Sequence, residues 1–148
     1  SDGNPSVIEY NCSFGDPETQ PIMHRLKDDL GALCLAVLDG RLDEMSADWD
    51  PRPAVGVVLA AGGYPGSYEK GHEIKGLKTE WPATTKVFHA GTQQAGDGLV
   101  TQGGRVLCVS ALGDSIADAI AAAYAGVDQI SWEGMVCRRD IGWRAIDR

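Results

Sequence analysis

No uninterrupted apolar run in this chain approaches the roughly 18 residues that a membrane-spanning helix needs. The opening Ser1-Asp2-Gly3-Asn4-Pro5 lacks the pattern of a secretory signal. The four cysteines, Cys12, Cys34, Cys108 and Cys137, include no C-x-x-C pair, which excludes the common zinc and dithiol motifs. Cys34 and Cys108 lie in apolar stretches and read as buried free thiols; with no secretory mark, a reducing cytoplasm is the expected location. There is also no excess of basic charge. Thirteen Lys and Arg stand against 21 Asp and Glu, a formal charge of −8, which argues against a general nucleic-acid binder. The chain carries no Gly-x-Ser-x-Gly elbow, no His-Glu-x-x-His, no calcium loop, no Walker A loop and no Gly-x-Gly-x-x-Gly.

What is present is an ordinary globular composition, 43% hydrophobic and 23% charged over 148 residues, enough for about one domain with a real core. The charge is uneven. Residues 1–50 hold 11 acids against Arg25, Lys27 and Arg41, whereas residues 51–148 hold 10 of each sign. Glycine is skewed the other way, with 4 of 19 copies before residue 50. Two pieces of different character are therefore expected, 1–50 and 51–148, with a seam near Asp50-Pro51-Arg52-Pro53.

In the first piece, Val7–Asn11 reads as a short strand and a helix is expected to begin near Pro17-Glu18. Leu26, Leu30, Leu33, Val37 and Leu38 recur at helical spacing, with Gly40 as the stop and further helix possible over Arg41 to Trp49. The second piece turns to strands: Ala54–Ala61, Lys86–Ala90, a strand around Leu99–Thr101, and Arg105–Ala111. Gln93 to Gly98 reads as a hairpin loop, and Gly62–Gly66 and Gly103-Gly104 as turns. Ser115 and Asp118 form a capping-box start for one strong helix, whose apolar stripe is Ile116, Ala119, Ile120, Ala123, Val127 and Ile130. The expected class is α+β: a strand and helices, then a small, mostly antiparallel β domain with one long helix.

Glu9 and Asn11 share one face of the first strand, so a carboxylate and an amide oxygen could grip one hard cation such as Mg²⁺. A wet edge strand explains the same pattern. The Phe14–Glu18 turn sets a helix start beside them, where free N–H groups attract phosphate. Gly103-Gly104-Arg105 could hold a phosphate or carboxylate, or be a hairpin turn with a surface arginine. His89 is expected as a hydrogen-bonded core histidine, and His24 and His72 have no partner visible in sequence. Arg138, Arg139, Arg144 and Arg148 make the tail basic, and pairing with the acidic first piece is expected ahead of contact with substrate phosphates.

Val7-Ile-Glu-Tyr-Asn-Cys-Ser-Phe-Gly-Asp-Pro-Glu-Thr-Gln-Pro-Ile-Met23 closely resembles a signature of the glycinamide ribonucleotide synthetase (phosphoribosylamine–glycine ligase) family of ATP-grasp enzymes. The likeness continues through Ala60–Gly66, Val87–Thr92, Gly103–Val109 and Arg139–Ile146, in order along nearly the whole chain. The resemblance implies a ligase of purine synthesis that joins glycine to 5-phosphoribosylamine through glycyl phosphate, with ATP as substrate and Mg²⁺ or Mn²⁺ as cofactor. It implies Glu9 and Asn11 as the metal pair and Gly15, Asp16 and Pro17 as the turn beside the acceptor site. His89 to Thr92 and Gly103 to Arg105 fall in a carboxy-terminal domain that closes over the active site. Ser13 departs from the family, which has arginine there to stabilise the phosphorylated intermediate. A complete synthetase is about three times longer, so the amino-terminal region and most of the nucleotide site are expected to be missing. The chain alone is then expected to be inactive, or to serve as a non-catalytic interaction module.

Overall fold

A computed structural model of the chain describes residues 6–77 and 80–146. Arg148, the last of the four tail arginines, lies outside the described residues. The elements run α1 (Thr19–Arg25), α2 (Leu30–Leu38), β1 (Ala54–Ala61), β2 (Thr85–His89), β3 (Thr92–Ala95), β4 (Gly98–Thr101), β5 (Arg105–Leu112), α3 (Ile116–Val127) and β6 (Met135–Cys137). Strands β2, β5, β1 and β6 form one antiparallel sheet in that order, and β3 and β4 form a separate hairpin. The class is α+β, as expected.

The near-continuous apolar runs of β1 and β5 follow from burial on both faces. Val55, Val57 and Leu59, with Leu107, Val109 and Ala111, point to one face and form the core with Ala119, Ala123 and Val127 of α3. Burying each Val or Leu there contributes about 1.5–3 kcal/mol. The opposite face is covered by α1. A Cβ on Gly56 would lie 3.2 Å from the Pro21 ring, and His24 Nδ1 is 2.9 Å from Ser110 Oγ. The capping box of α3 is present, with Asp118 N–H donating to Ser115 Oγ and Ser115 N–H donating to Asp118 Oδ2, both at 3.1 Å. Ile130 is buried but lies beyond the helix end.

Several expectations are corrected. Val7–Asn11 forms no strand: it has no ladder partner among the described residues, and Ile8 is 96% exposed. A lone extended segment has nothing to satisfy its N–H and C=O groups, so alternation alone cannot make it a strand. Leu26 is outside α2, whose start is set by Asp29 accepting from the N–H groups of Gly31 and Ala32. The acidic stretch after Arg41 holds only a 3-10 turn at Leu42–Glu44, since its side chains are exposed and it has no buried apolar face to stabilise a longer helix. Gln93–Ala95, expected as loop, belongs to β3, and the turn is confined to Gly96-Asp97. The tail supplies β6, which pairs with the end of β1. Arg138 and Arg139 pair within the second piece, with Asp140 and Asp128, both at 2.6 Å, because Asp140 is two residues along the chain and the end of α3 brings Asp128 beside the tail.

Asp50 and Arg52 tie the seam. Arg52 Nε and Nη2 donate to the Asp50 carboxylate at 2.9 and 2.7 Å, and Asp50 N–H donates to Arg25 O at 2.7 Å. The guanidinium's hydrogen bonds hold the Asp50 carboxyl well below the usual carboxylate range. A depressed folded value means that the pair stabilises above the unfolded carboxyl value of about 3.9. That stability is lost as pH falls from there through the lowered folded value. Thermal melts should therefore show Asp50→Asn destabilised at neutral pH, with the gap to the parent closing below about pH 4. A gap that does not change with pH would contradict the ion-pair account.

Candidate functional site

The packing of α1 against β1 and β5 brings the turn before α1 to the start of β5. Asp16 Oδ2 lies 2.7 Å from Arg105 Nη2, joining the acidic first piece to the second. Around this pair is an open cleft of about 340 Å³, lined by Gln20, Val58, Tyr64, Ala90, Gly91, Gly104, Leu107 and Cys108. A neighbouring cleft of about 500 Å³ shares Val58, Tyr64 and Arg105 and is completed by Pro17, Val136 and Arg138 among others. Tyr64 and Arg105 therefore border both spaces.

Close backbone approach builds the first cleft. The Gly104 carbonyl accepts from Ala61 N–H at 2.8 Å, and a Cβ on Gly104 would meet Tyr64 Cδ2 at 2.2 Å. Only glycine lets the tyrosine ring lie against that backbone. Gly103 N–H donates to Gly91 O at 3.1 Å, holding the 89–92 and 102–105 segments together. Gly15 O accepts from Thr19 N–H and Thr19 Oγ1 at 2.9 and 2.6 Å, which fixes the Asp16 turn on α1. Burial, and secondarily the Asp16 carboxylate, push the Cys108 thiol up to about 11, so at neutral pH it is protonated and a poor nucleophile. Gln20 Oε1 is buried with no hydrogen-bond partner.

The structure thus brings Gly15, Asp16, Gly103, Gly104 and Arg105 to one place and sets Pro17 at its edge. His89 is elsewhere. It is exposed at the end of β2, with Nδ1 3.2 Å from Thr92 Oγ1, and lines a separate cavity of about 870 Å³ with Trp81 and Asp97. The expectation of a core histidine fails there because β2 ends at that residue. The buried histidine is His24, whose pKa is lowered by burial and then by Lys86, leaving it neutral at pH 7. His72 meets Glu69 and Glu133 at 3.4 and 3.8 Å.

Glu9, Asn11 and Ser13 are exposed on the segment before the turn. One carboxylate and one amide oxygen suit a hard divalent cation that keeps most of its water. Among the described residues no cluster of three or more His, Cys, Asp or Glu is placed to hold a metal. No helix among them is long and apolar enough to cross a membrane.

Gln20, Tyr64, Gly91 and Cys108 were not singled out as site residues by sequence reasoning. The glycine-rich Gly62–Gly66 loop was a signal for Tyr64, and the Val87–Thr92 likeness for Gly91. Nothing local marks Gln20, which reaches the cleft only through the packing of α1.

A family profile described as "Phosphoribosylglycinamide synthetase, C domain" matches residues 54–144. The phosphoribosylamine–glycine ligase of Vibrio cholerae is 62% identical over 148 residues, covering all of this chain and 34% of the relative. That of Escherichia coli K12 is 59% identical over 147 residues, again 34% of its length. The crystal structure of the phosphoribosylamine–glycine ligase from Thermotoga maritima superposes with a TM-score of 0.67 at 36% identity, covering 94% of this chain and 34% of that one. The chain spans about a third of the length of these relatives. With the profile matching well over half of it and the likeness running end to end, the chain belongs to the phosphoribosylglycinamide synthetase C-domain family.

Proposed function

We propose that this chain is the carboxy-terminal part of an ATP-dependent carbon–nitrogen ligase that joins glycine to 5-phosphoribosylamine, giving glycinamide ribonucleotide. Residues 1–50 are the end of a nucleotide-and-metal lobe and residues 51–148 a cap over it, acting in the cytoplasm. The observation that carries this reading is the 62% identity to a phosphoribosylamine–glycine ligase along the entire chain. The Asp16–Arg105 cleft, built from the glycines that the resemblance singles out, supports it.

In this reaction a glycine carboxylate oxygen takes the γ-phosphoryl group of ATP and ADP leaves. The ribosyl amine nitrogen then attacks the acyl carbon, and phosphate leaves. Glu9 and Asn11 would hold Mg²⁺ or Mn²⁺, which neutralises charge on the transferring phosphoryl group. Arg105 presents a guanidinium to an anionic oxygen, and Tyr64 over Gly104 narrows the cleft against water. The groups that grip ATP are expected in the part of such a ligase that lies outside the third of the relatives' length that this chain spans. A protein carrying this chain should release ADP only when ATP, glycine and 5-phosphoribosylamine are all present. ADP release that ignores glycine would sink the ligase assignment.

Ser13 cannot supply the positive charge that the family places there. Ser13→Arg in such a protein is expected to raise kcat by about tenfold, since an added charge-assisted contact to a phosphorylated intermediate acts where charge develops. An unchanged kcat would show that the position does not limit the rate. The second reading, a non-catalytic interaction module, is favoured by Ser13 and by the exposed Val7, Ile8, Tyr10, Leu35 and Leu38. A protein that lacks ligase activity both with Ser13 and with Ser13→Arg would select it.

A further inference from the structure

The ladder between β6 and β1 ends at Cys137, opposite Leu59, and the residues after it have no strand partner. One side of α3 holds them instead. Ile120, Tyr124 and Asp128 stand four residues apart, so they share a stripe of the helix beside the buried stripe of Ala119, Ala123 and Val127. Each of the three meets the tail. Tyr124 Oη donates to Arg138 O at 2.9 Å and accepts from Ile141 N–H at 3.0 Å. Arg139 lies over the Tyr124 ring, 5.5 Å from its centroid, and pairs with Asp128 at 2.6 Å. Gly142, at φ +83°, approaches so closely that a Cβ there would lie 3.0 Å from the Ile120 side chain. Arg138 and Ile141, the two residues that the tyrosine hydroxyl holds, both line the cleft of about 500 Å³, together with Pro17, Tyr64 and Arg105.

We propose that Tyr124 is a positioning residue, whose hydroxyl fixes the Arg138–Ile141 wall of that cleft; its effect on turnover rests on the ligase reading. The hydroxyl uses its proton on one backbone group and a lone pair on another. It therefore sets both the spacing of Arg138 and Ile141 and their place on α3. The ring beneath it is half-buried and packs against the core, so the anchor is stiff. The other polar ties of the tail are weaker. Arg138 with Asp140 closes only a local loop, and those side chains are 73% and 53% exposed. Arg139 and Asp128 are exposed as well, and exposed ion pairs contribute little and are screened by salt. Tyr124 does not itself line the cleft, so it acts on a bound substrate only through the wall that it holds. A displacement of about 1 Å in such a wall can cost on the order of a hundredfold in rate.

The test is Tyr124→Phe in the intact protein that carries this chain, which keeps the ring and its packing and removes only the hydroxyl. Amide hydrogen exchange reads the clasp directly. Residues 138–142 should exchange at least about tenfold faster than in the parent, while the core of α3 is unchanged. Product formation is then measured with ATP, glycine and 5-phosphoribosylamine varied in turn. Here kcat/KM should fall at least about tenfold for at least one of the three, and unequally among them, because a displaced wall does not meet every substrate alike. Asp50→Asn is the control for lost stability. It does not touch the tail, so any loss that it causes should follow the folded fraction and be equal for all three substrates. Unchanged exchange in Tyr124→Phe would overturn the clasp. Faster exchange with no loss of turnover, or with an equal loss for all three substrates, would make the hydroxyl a stabilising contact only and overturn the positioning role. A parent that forms no glycinamide ribonucleotide would instead overturn the ligase reading, and the exchange rates would still decide whether the hydroxyl fixes the wall.

Discussion

Glu9→Ala, in the intact protein that carries this chain, is expected to lower kcat by about a thousandfold or more and to leave the melting temperature unchanged. In the proposed reading, the substitution would remove the charged ligand of a divalent cation whose role would be to neutralise the transferring phosphoryl group, a contact of the kind worth several kcal/mol in the transition state. The structural side of the expectation is equally definite. Glu9 is exposed, as are Val7, Ile8 and Tyr10 around it, and the segment contributes no core packing among the described residues. A surface substitution of that kind costs at most about 0.5 kcal/mol of stability. Asn11→Ala should follow in the same direction with a smaller loss, because an amide oxygen is the weaker ligand. The measurement is steady-state ADP release at saturating ATP beside a thermal melt. Turnover retained within tenfold of the parent in Glu9→Ala would refute the metal role.

Gly91→Ala should produce the largest loss of stability near the cleft, about 3 kcal/mol, in the range of core overpacking. The alanine Cβ would lie 2.6 Å from both Arg105 O and Gly103 Cα and 2.7 Å from Gly103 N. All three are backbone atoms, so no side chain can rotate away. The strands must separate, at the expense of the bonds from Gly91 N–H to Val106 O and from Gln102 N–H to Gly91 O, 3.1 and 2.8 Å. For a chain of this size the change is roughly 10 °C in melting temperature. Because the same segments carry Arg105 and the cleft wall, turnover in the intact protein should fall along with stability. Gly98→Ala is the matched control, since its Cβ would meet only Ala95 O at an ordinary 3.8 Å, and it should stay within about 0.5 kcal/mol of the parent. Comparable melting temperatures for the two variants would show that the close approach at Gly91 is not a constraint.

The parts of the fold legible in the chain are those whose partners are local or whose periodicity is strong. The cap of α3 is written in Ser115 and Asp118, three residues apart, and its buried stripe in the spacing of Ala119, Ala123 and Val127. The runs at 54–61 and 105–112 announce themselves as doubly covered strands because every position in them but Arg105 is apolar or small. Val7–Asn11 shows the limit of that reasoning. Its alternation is a good strand pattern, yet pairing depends on a neighbour that local sequence does not specify. His89 and His24 show the same limit in burial. One follows the apolar pair Val87-Phe88 at the end of a strand and is exposed; the other also follows an apolar pair, Ile22-Met23, but is buried against Ser110, 86 residues away.

By itself, the sequence determined the α+β class, the main core strands, the capped helix and the family, and through the family resemblance it marked Glu9, Asn11, Asp16 and Arg105 as site candidates. It did so because hydrophobic periodicity and short motifs are local properties of a chain. Only the tertiary structure decided that Asp16 and Arg105 meet at 2.7 Å, that Tyr64 and Gln20 join them, and that His89 does not. Those outcomes depend on α1 lying across the second face of the sheet, through contacts between residues far apart in sequence. The lack of long apolar runs, of C-x-x-C pairs and of basic excess narrowed the class of protein; the packing of α1 on β1 and β5 decided where its charges could act.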